Sequence, residues 1–208
     1  MTEYGNAERL RTVRLGLYVR RESLSLAGKI TLALAFALAI GLSAQIRIPL
    51  PFSPVPVTGQ TFAVLAAGVL LGRKWGSFSL ASYVALGAAG IPWFNGGGAG
   101  MSFIAGPTGG YLIGFILAAG IIGFIVDKFP AARGFLPMLA IMLAVNFVVI
   151  YGLGLAWLGV YLSAIKGATV TLPALLAMGA LPFIAGDTGK AVLAALMAKT
   201  VTPKEESF

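Results

Sequence analysis

Apolar runs near 29–46, 57–72, 76–91, 109–126, 135–153 and 182–199 alternate with two unlike kinds of connection. One kind is short and charged, as at Arg73–Lys74 and Asp127–Lys128. The other is long, rich in proline and glycine, and almost free of charge. Runs of this length read as membrane spans, because a helix needs ~20 apolar residues to cross a hydrocarbon core of ~30 Å. Several fall short of that, so their helices are expected to tilt or to thin the bilayer around them. The pattern predicts an all-α membrane protein, a six-transmembrane-helix bundle over 29–199, between a basic tail (1–28) and a short second tail (200–208). At 58% hydrophobic and 11% charged, the chain lies far from the roughly 25% charged of soluble domains.

The charges that remain are distributed by side. With six spans, the N-terminal tail, the 72–76 turn, the 127–134 loop and the C-terminal tail share one face. They carry Arg9, Arg11, Arg14, Arg20, Arg21, Lys29, Arg73, Lys74, Lys128, Arg133, Lys199 and Lys204, against Arg47 and Lys166 on the other. Excess Lys and Arg mark the cytoplasmic side, so both termini are expected in the cytoplasm. The net charge of +8 then reflects topology, and no nucleic-acid partner is expected. Leu10, Val13, Leu17 and Val19 within the first tail permit a short interfacial helix, or a frayed end. The first apolar run has no convincing cleavage site after it and reads as a retained helix.

The inventory of chemical groups is narrow. With no Cys and no His, there is no thiol nucleophile, no His-based triad and none of the commonest zinc ligands. Neither a catalytic centre nor a cofactor is expected. Glycines at 91–112 lack the Lys–Ser/Thr ending of a phosphate-binding loop, and with no nucleotide-binding motif the chain is not expected to couple ATP hydrolysis to uptake by itself.

Against this background Asp187 and Lys190 stand out, in the apolar stretch PFIAGDTGKAVLAALMA. A charge near the bilayer centre costs at least ~2.5 kcal/mol, and such residues pair, line a cavity or meet a ligand. At i and i+3 they share a helix face. Pro182 is a natural break, and a last helix starting near Phe183 puts both charges one to two turns below the outer surface. The outer connections above them are RIPLPFSPVPVTGQ, the 91–112 segment, and 154–181 with a short helix after Pro173. Proline at the density of the first favours extended backbone. Together they suggest a lidded pocket open to the outside.

A carboxylate accepts and an ammonium donates. A cyclic urea answers both, its N–H groups on Asp187 and its carbonyl on Lys190. An amino acid or an amine with a nearby anion would also serve, and a plain salt bridge fixing the last helix remains an alternative. Other residues placed to join a site are Gln60, Asn95, Tyr111 and Asn146, each of which could instead satisfy backbone locally. Phe52, Trp93 and Phe94 could wall its apolar part, Trp93 equally an interface anchor. In the first run Ala33 and Ala37 are four apart, as are Ala35 and Ala39. Small residues so spaced let helices approach closely, inside the bundle or against another membrane protein.

Three segments carry a resemblance: IPLPFSPVPVTGQTFAVLAAGVLLGRKWG at 48–76, GAAGIPWFNGGGAGMSFIAGPTGGYLIGF at 87–115, and LPFIAGDTGKAVLAALMA at 181–198. In order and spacing they resemble the BioY family, the biotin-specific S-components of energy-coupling factor (ECF) transporters. The resemblance implies a six-helix S-component fold in the bacterial cytoplasmic membrane, with biotin bound near the outer face. It implies contacts to the ureido ring from Asp187 and Lys190, with Gln60 and Tyr111 beside the pocket. The family's polar or basic residue in the GG-x-G loop, and its Arg after the GGY motif, are here Gly98 and Leu112, so those contacts are not carried over. The resemblance also implies partners: a transmembrane T-component, docking at Ala33 and Ala37, and two cytoplasmic ATPases. The expected function is capture of biotin outside and its delivery inward with that ATP-driven module. Rivals are an S-component for another small vitamin, an autonomous carrier, an embedded enzyme, and a purely structural subunit.

Overall fold

Ser25 opens the first long helix: its hydroxyl accepts the N–H of Gly28 at 3.2 Å, an N-cap that starts α1 (Leu26–Gln45) three residues before the apolar run suggests. The computed structural model describes Gly16 and residues 21–203. The interfacial helix considered for Leu10, Val13, Leu17 and Val19, and the tail beyond 203, lie outside the described residues. Along α1, Ala33, Ala37, Ile40, Gly41 and Ala44 are buried, and Leu34, Leu38 and Leu42 on the other face are exposed. This corrects the docking assignment of Ala33 and Ala37. Both are fully enclosed by the protein's own helices, because small side chains are what allow α1 to lie close to its neighbour.

The proline-rich connection forms a two-stranded antiparallel ribbon, β1 (Arg47–Leu50) and β2 (Ser53–Thr58), a departure from the all-α expectation. Arg47 pairs with Thr58 and Ile48 with Val57. Its prolines are tolerated because each strand of a two-stranded ribbon is an edge and owes few N–H groups to a ladder.

Helical backbone then runs from Gln60 to Ala88 (α2), but it folds back on itself at Gly72, where φ is 74°. Gln60 Nε2 donates to the Tyr83 hydroxyl at 3.0 Å. In a straight helix those residues would sit about 34 Å apart. The runs 57–72 and 76–91 are therefore two antiparallel arms joined by one glycine in the left-handed region. Asp127 secures the reversal. Its Oδ2 accepts the N–H of Arg73, the first of the second arm, at 2.9 Å, and its Oδ1 accepts from Arg21 at 2.8 Å. A carboxylate at a helix start satisfies an orphan donor and opposes the positive end of the dipole.

After a glycine-rich loop and one short turn, α3 (Met101–Ile104), helix α4 (Gly109–Lys128) packs between the arms of α2 and the next helix. Leu112, Phe115, Ala118, Ala119 and Ile122 of α4 lie in the core. Helix α5 is continuous over Phe135–Ile165, with π-helical turns at Val145–Ile150 and Tyr161–Ile165. It is longer than the 135–153 run suggests: Leu155, Leu158 and Leu162 continue the inward face, and the chain breaks only after Lys166, at Gly167 (φ 65°). Thr171 caps α6 (Leu172–Gly179), and a 3-10 turn at Leu181–Phe183 leads into α7 (Ile184–Val201). At the end bearing Asp127, buried Arg133 donates to the carbonyls of Val126 and Pro203, tying the ends of α4 and α7 together. Among the described residues, α1, α4, α5 and the stretch Leu172–Val201 are long and apolar enough to cross a membrane.

Candidate functional site

The ribbon, the start of α2, the start of α4, the middle of α5 and the first turns of α7 meet around a partly open cavity at the end opposite Asp127. Asp187 and Lys190 both line it, one turn inside α7. Lys190 Nζ donates to Asp187 Oδ1 at 2.7 Å and to the carbonyl of Thr58 at 2.6 Å. Asp187 Oδ2 accepts the Tyr151 hydroxyl at 2.9 Å, and Asn146 Nδ2 lies 3.5 Å from the same oxygen. The pair is thus held from behind by α5 and from the side by β2.

Counting bonds shows what remains unused. An ammonium has three donors, and two of Lys190's are taken. A carboxylate has about four lone-pair sites, and Asp187 keeps capacity beyond its partners. Both lie in a largely dehydrated site, where an unmet donor or acceptor is costly. The arrangement therefore favours a guest that brings N–H donors to the carboxylate and an oxygen to the ammonium. Charge-assisted hydrogen bonds of this kind are roughly twice as strong as neutral ones.

Asn146 and Tyr151 reach one carboxylate because of the first π-turn. Five positions apart in an α-helix they would diverge by about 140°. The i→i+5 bond from Tyr151 N–H to the Asn146 carbonyl stacks them on one face instead. Asn146 is fully buried and its Oδ1 has no partner among the described residues. It stands behind Asp187, off the cavity wall. Tyr151 and Thr58 were missed by the sequence reading. The five-residue spacing hides Tyr151, and Thr58 contributes only backbone to Lys190.

The other expected residues divide. Gln60, Asn95 and Tyr111 line the cavity. The Gln60 amide is engaged by Tyr83 and Thr58, and the Tyr111 hydroxyl donates to the Gly179 carbonyl at 2.6 Å. Asn95 has a side-chain amide with no protein partner among the described residues. Phe52, Trp93 and Phe94 form no part of the lining. Phe52 is 59% exposed at the ribbon tip. Phe94 is fully buried, stacked on Phe103 at 4.7 Å, and Trp93 donates through Nε1 to the Tyr83 carbonyl at 3.0 Å. These two rings wedge the glycine-rich loop against α2. Val55, Val57, Leu112, Phe115, Ile150 and Phe183 supply the apolar wall instead.

Comparison with known proteins gives the chain's family. A protein of Methanothermobacter thermautotrophicus described as a probable biotin transporter BioY is 49% identical over 142 residues, covering 67% of this chain and 88% of that one. The biotin transporter BioY of Thermotoga maritima is 39% identical over 151 residues, covering 73% and 83%. Among solved structures, the S-component for biotin from an ECF-type ABC transporter superposes with a TM-score of 0.73 at 27% identity, over 85% of this chain and 93% of that one. The family model described as the BioY family matches residues 16–206, nearly the whole chain; the chain belongs to the BioY family.

Proposed function

We propose that this protein is the biotin-capture subunit of an ECF-type uptake transporter of the cytoplasmic membrane. It takes biotin from the outer side and delivers it inward with an ATP-driven module. The observation that carries the reading is the Asp187–Lys190 pair in the cavity wall, braced by Tyr151 and Thr58, with one donor of Lys190 unused. Asp187 accepts from the ureido N–H groups and Lys190 donates to the ureido carbonyl. The thiophane ring lies along Leu112, Phe115 and Phe183. No covalent bond is made or broken.

In this reading the two arms of α2 count as separate spans, giving six with α1, α4, α5 and α7, and both termini face the cytoplasm. A transmembrane T-component and two ATPases supply the energy coupling. Of the two small-residue pairs on α1, Ala35 and Ala39 are exposed and free to meet the T-component.

Titration of biotin into ligand-free protein in detergent tests the proposal. Saturable binding is expected, and Asp187→Asn should weaken it at least tenfold, the loss of about 1.4 kcal/mol or more. Removing one partner of a buried pair also strains the fold, so thermal unfolding is followed in parallel. A folded wild-type protein that ignores biotin refutes the reading; an unchanged affinity in Asp187→Asn removes that residue from the site.

A further inference from the structure

The cavity has one cation, Lys190, and it sits against Asp187. A ligand with a head group on this pair and a carboxylate at its far end cannot place that carboxylate here as well. Next to Asp187 it would meet like charge, and Lys190 has already committed two of its three donors. The apolar wall, with Leu112 at the start of α4, offers no counter-charge. The anionic end must therefore point away from α7, toward the rim.

Beside two of the lining residues stands Arg47. It is the first residue of β1, exposed, and directly opposite Thr58, which lines the cavity. Side chains of directly paired antiparallel residues share a face of the ribbon. Its guanidinium lies on Gly96, so close that any side chain there would collide with it; Gly96 also has φ 71°, where glycine is favoured. Gly96 follows Asn95, the residue of that loop that lines the cavity. Gln45 holds the loop in place: its Nε2 is 3.1 Å from the carbonyls of Trp93 and Phe94, and its Oε1 accepts the Gly97 N–H at 3.2 Å. Arg47 has no ion pair or side-chain hydrogen bond among the described residues. Nor does any outer connection offer one, since 46–59, 89–108 and 166–181 contain no Asp or Glu. The other outer cation, Lys166, lies 5.9 Å from the Tyr161 ring and lines no part of the cavity.

We infer that Arg47 is the carboxylate-recognising residue of this site, pairing with the ligand's anionic tail at the mouth while Asp187 and Lys190 hold its head. The inference rests on the biotin reading above. A planar guanidinium matches a carboxylate through two parallel N–H···O bonds. Arg47 thus makes the protein selective for the free acid over neutral derivatives of the same ring system.

The test is calorimetric titration of ligand-free wild type, Arg47→Gln and Arg47→Lys with biotin and with biotinamide, whose tail is neutral. For a pair this exposed, Arg47→Gln should cost about fivefold in biotin affinity and less than twofold for biotinamide. Arg47→Lys should keep part of the preference, and raised salt should shrink it in the wild type. Equal losses on both ligands would show that Arg47 merely supports the Gly96 loop, and no loss on biotin would show that it is idle. Either result overturns the inference and leaves the biotin reading intact. A wild type that binds neither ligand overturns both.

Discussion

Tyr151 bears most directly on how Asp187 works. Its hydroxyl reaches Asp187 from behind, while Lys190 approaches from the side. Hydrogen bonds to a charged acceptor contribute about 1.5–3 kcal/mol, and this one also fixes which way the carboxylate faces. Tyr151→Phe keeps the ring, which packs at 5.3 Å on Phe147, and removes only the donor. Biotin affinity should fall about tenfold, part of that bond's worth, with unfolding little changed; equal affinities by titration would leave Tyr151 a packing residue. Phe52→Ala should leave affinity unaltered, since its ring stands in the open at the ribbon tip. A clear loss in the same titration would mean that the tip folds over the ligand. The acid–base pair was legible in the sequence because charges are conspicuous in an apolar run. Gln60 and Tyr111 came with the motifs, and Asn95 as a polar side chain in a glycine-rich loop. The aromatic residues were misplaced because a loop's rings declare burial without saying against what: Trp93 and Phe94 turn toward Tyr83, away from the cavity.

Among the elements, α2 shows how one position sets an architecture. The two basic residues at 73–74 announced a turn, and the structure concentrates that turn in Gly72. Without it the Gln60 and Tyr83 side chains, one lining the cavity and the other buried behind it, would not meet. Gly72→Ala puts a residue with a Cβ at φ 74°, ψ −176°, a conformation essentially confined to glycine, at a cost of about 1–3 kcal/mol. It also drives that Cβ to 2.6 Å from Asp127 Oδ2. The variant should unfold at a lower temperature than wild type in detergent, and a midpoint equal to wild type would show that the reversal does not depend on glycine. The proline-rich connection was legible as extended backbone, but its pairing was not, because prolines hide the alternation that marks a strand. The far half of α5 was lost for a related reason. Gly152, Gly154 and Gly159 resemble loop residues, yet glycine is tolerated in helices packed by neighbours within a membrane.

For the whole molecule, two asymmetries define its surroundings. One is charge, crowded around Arg73, Asp127 and Arg133 and sparse around the cavity. The chain contains no cysteine, so any introduced thiol is unique. Ala168→Cys, in the exposed connection after α5, should react with a membrane-impermeant maleimide on intact cells, and Ala131→Cys, between α4 and α5, only after permeabilisation. The reverse pattern would invert the protein and put the cavity inside the cell. The second asymmetry runs around α1, whose inner face is closed by Ala33 and Ala37 and whose outer face presents Ala35 and Ala39. Ala33→Leu overfills a packed contact, which costs about 1–3 kcal/mol, and should lower the unfolding temperature and with it every activity. Ala39→Leu adds the same atoms to an exposed face. It should leave unfolding and biotin affinity as they are, while reducing co-purification with the proposed transmembrane partner and uptake by whole cells. If Ala39→Leu assembles and transports normally, the partner docks elsewhere, and the outer face of α1 meets only lipid.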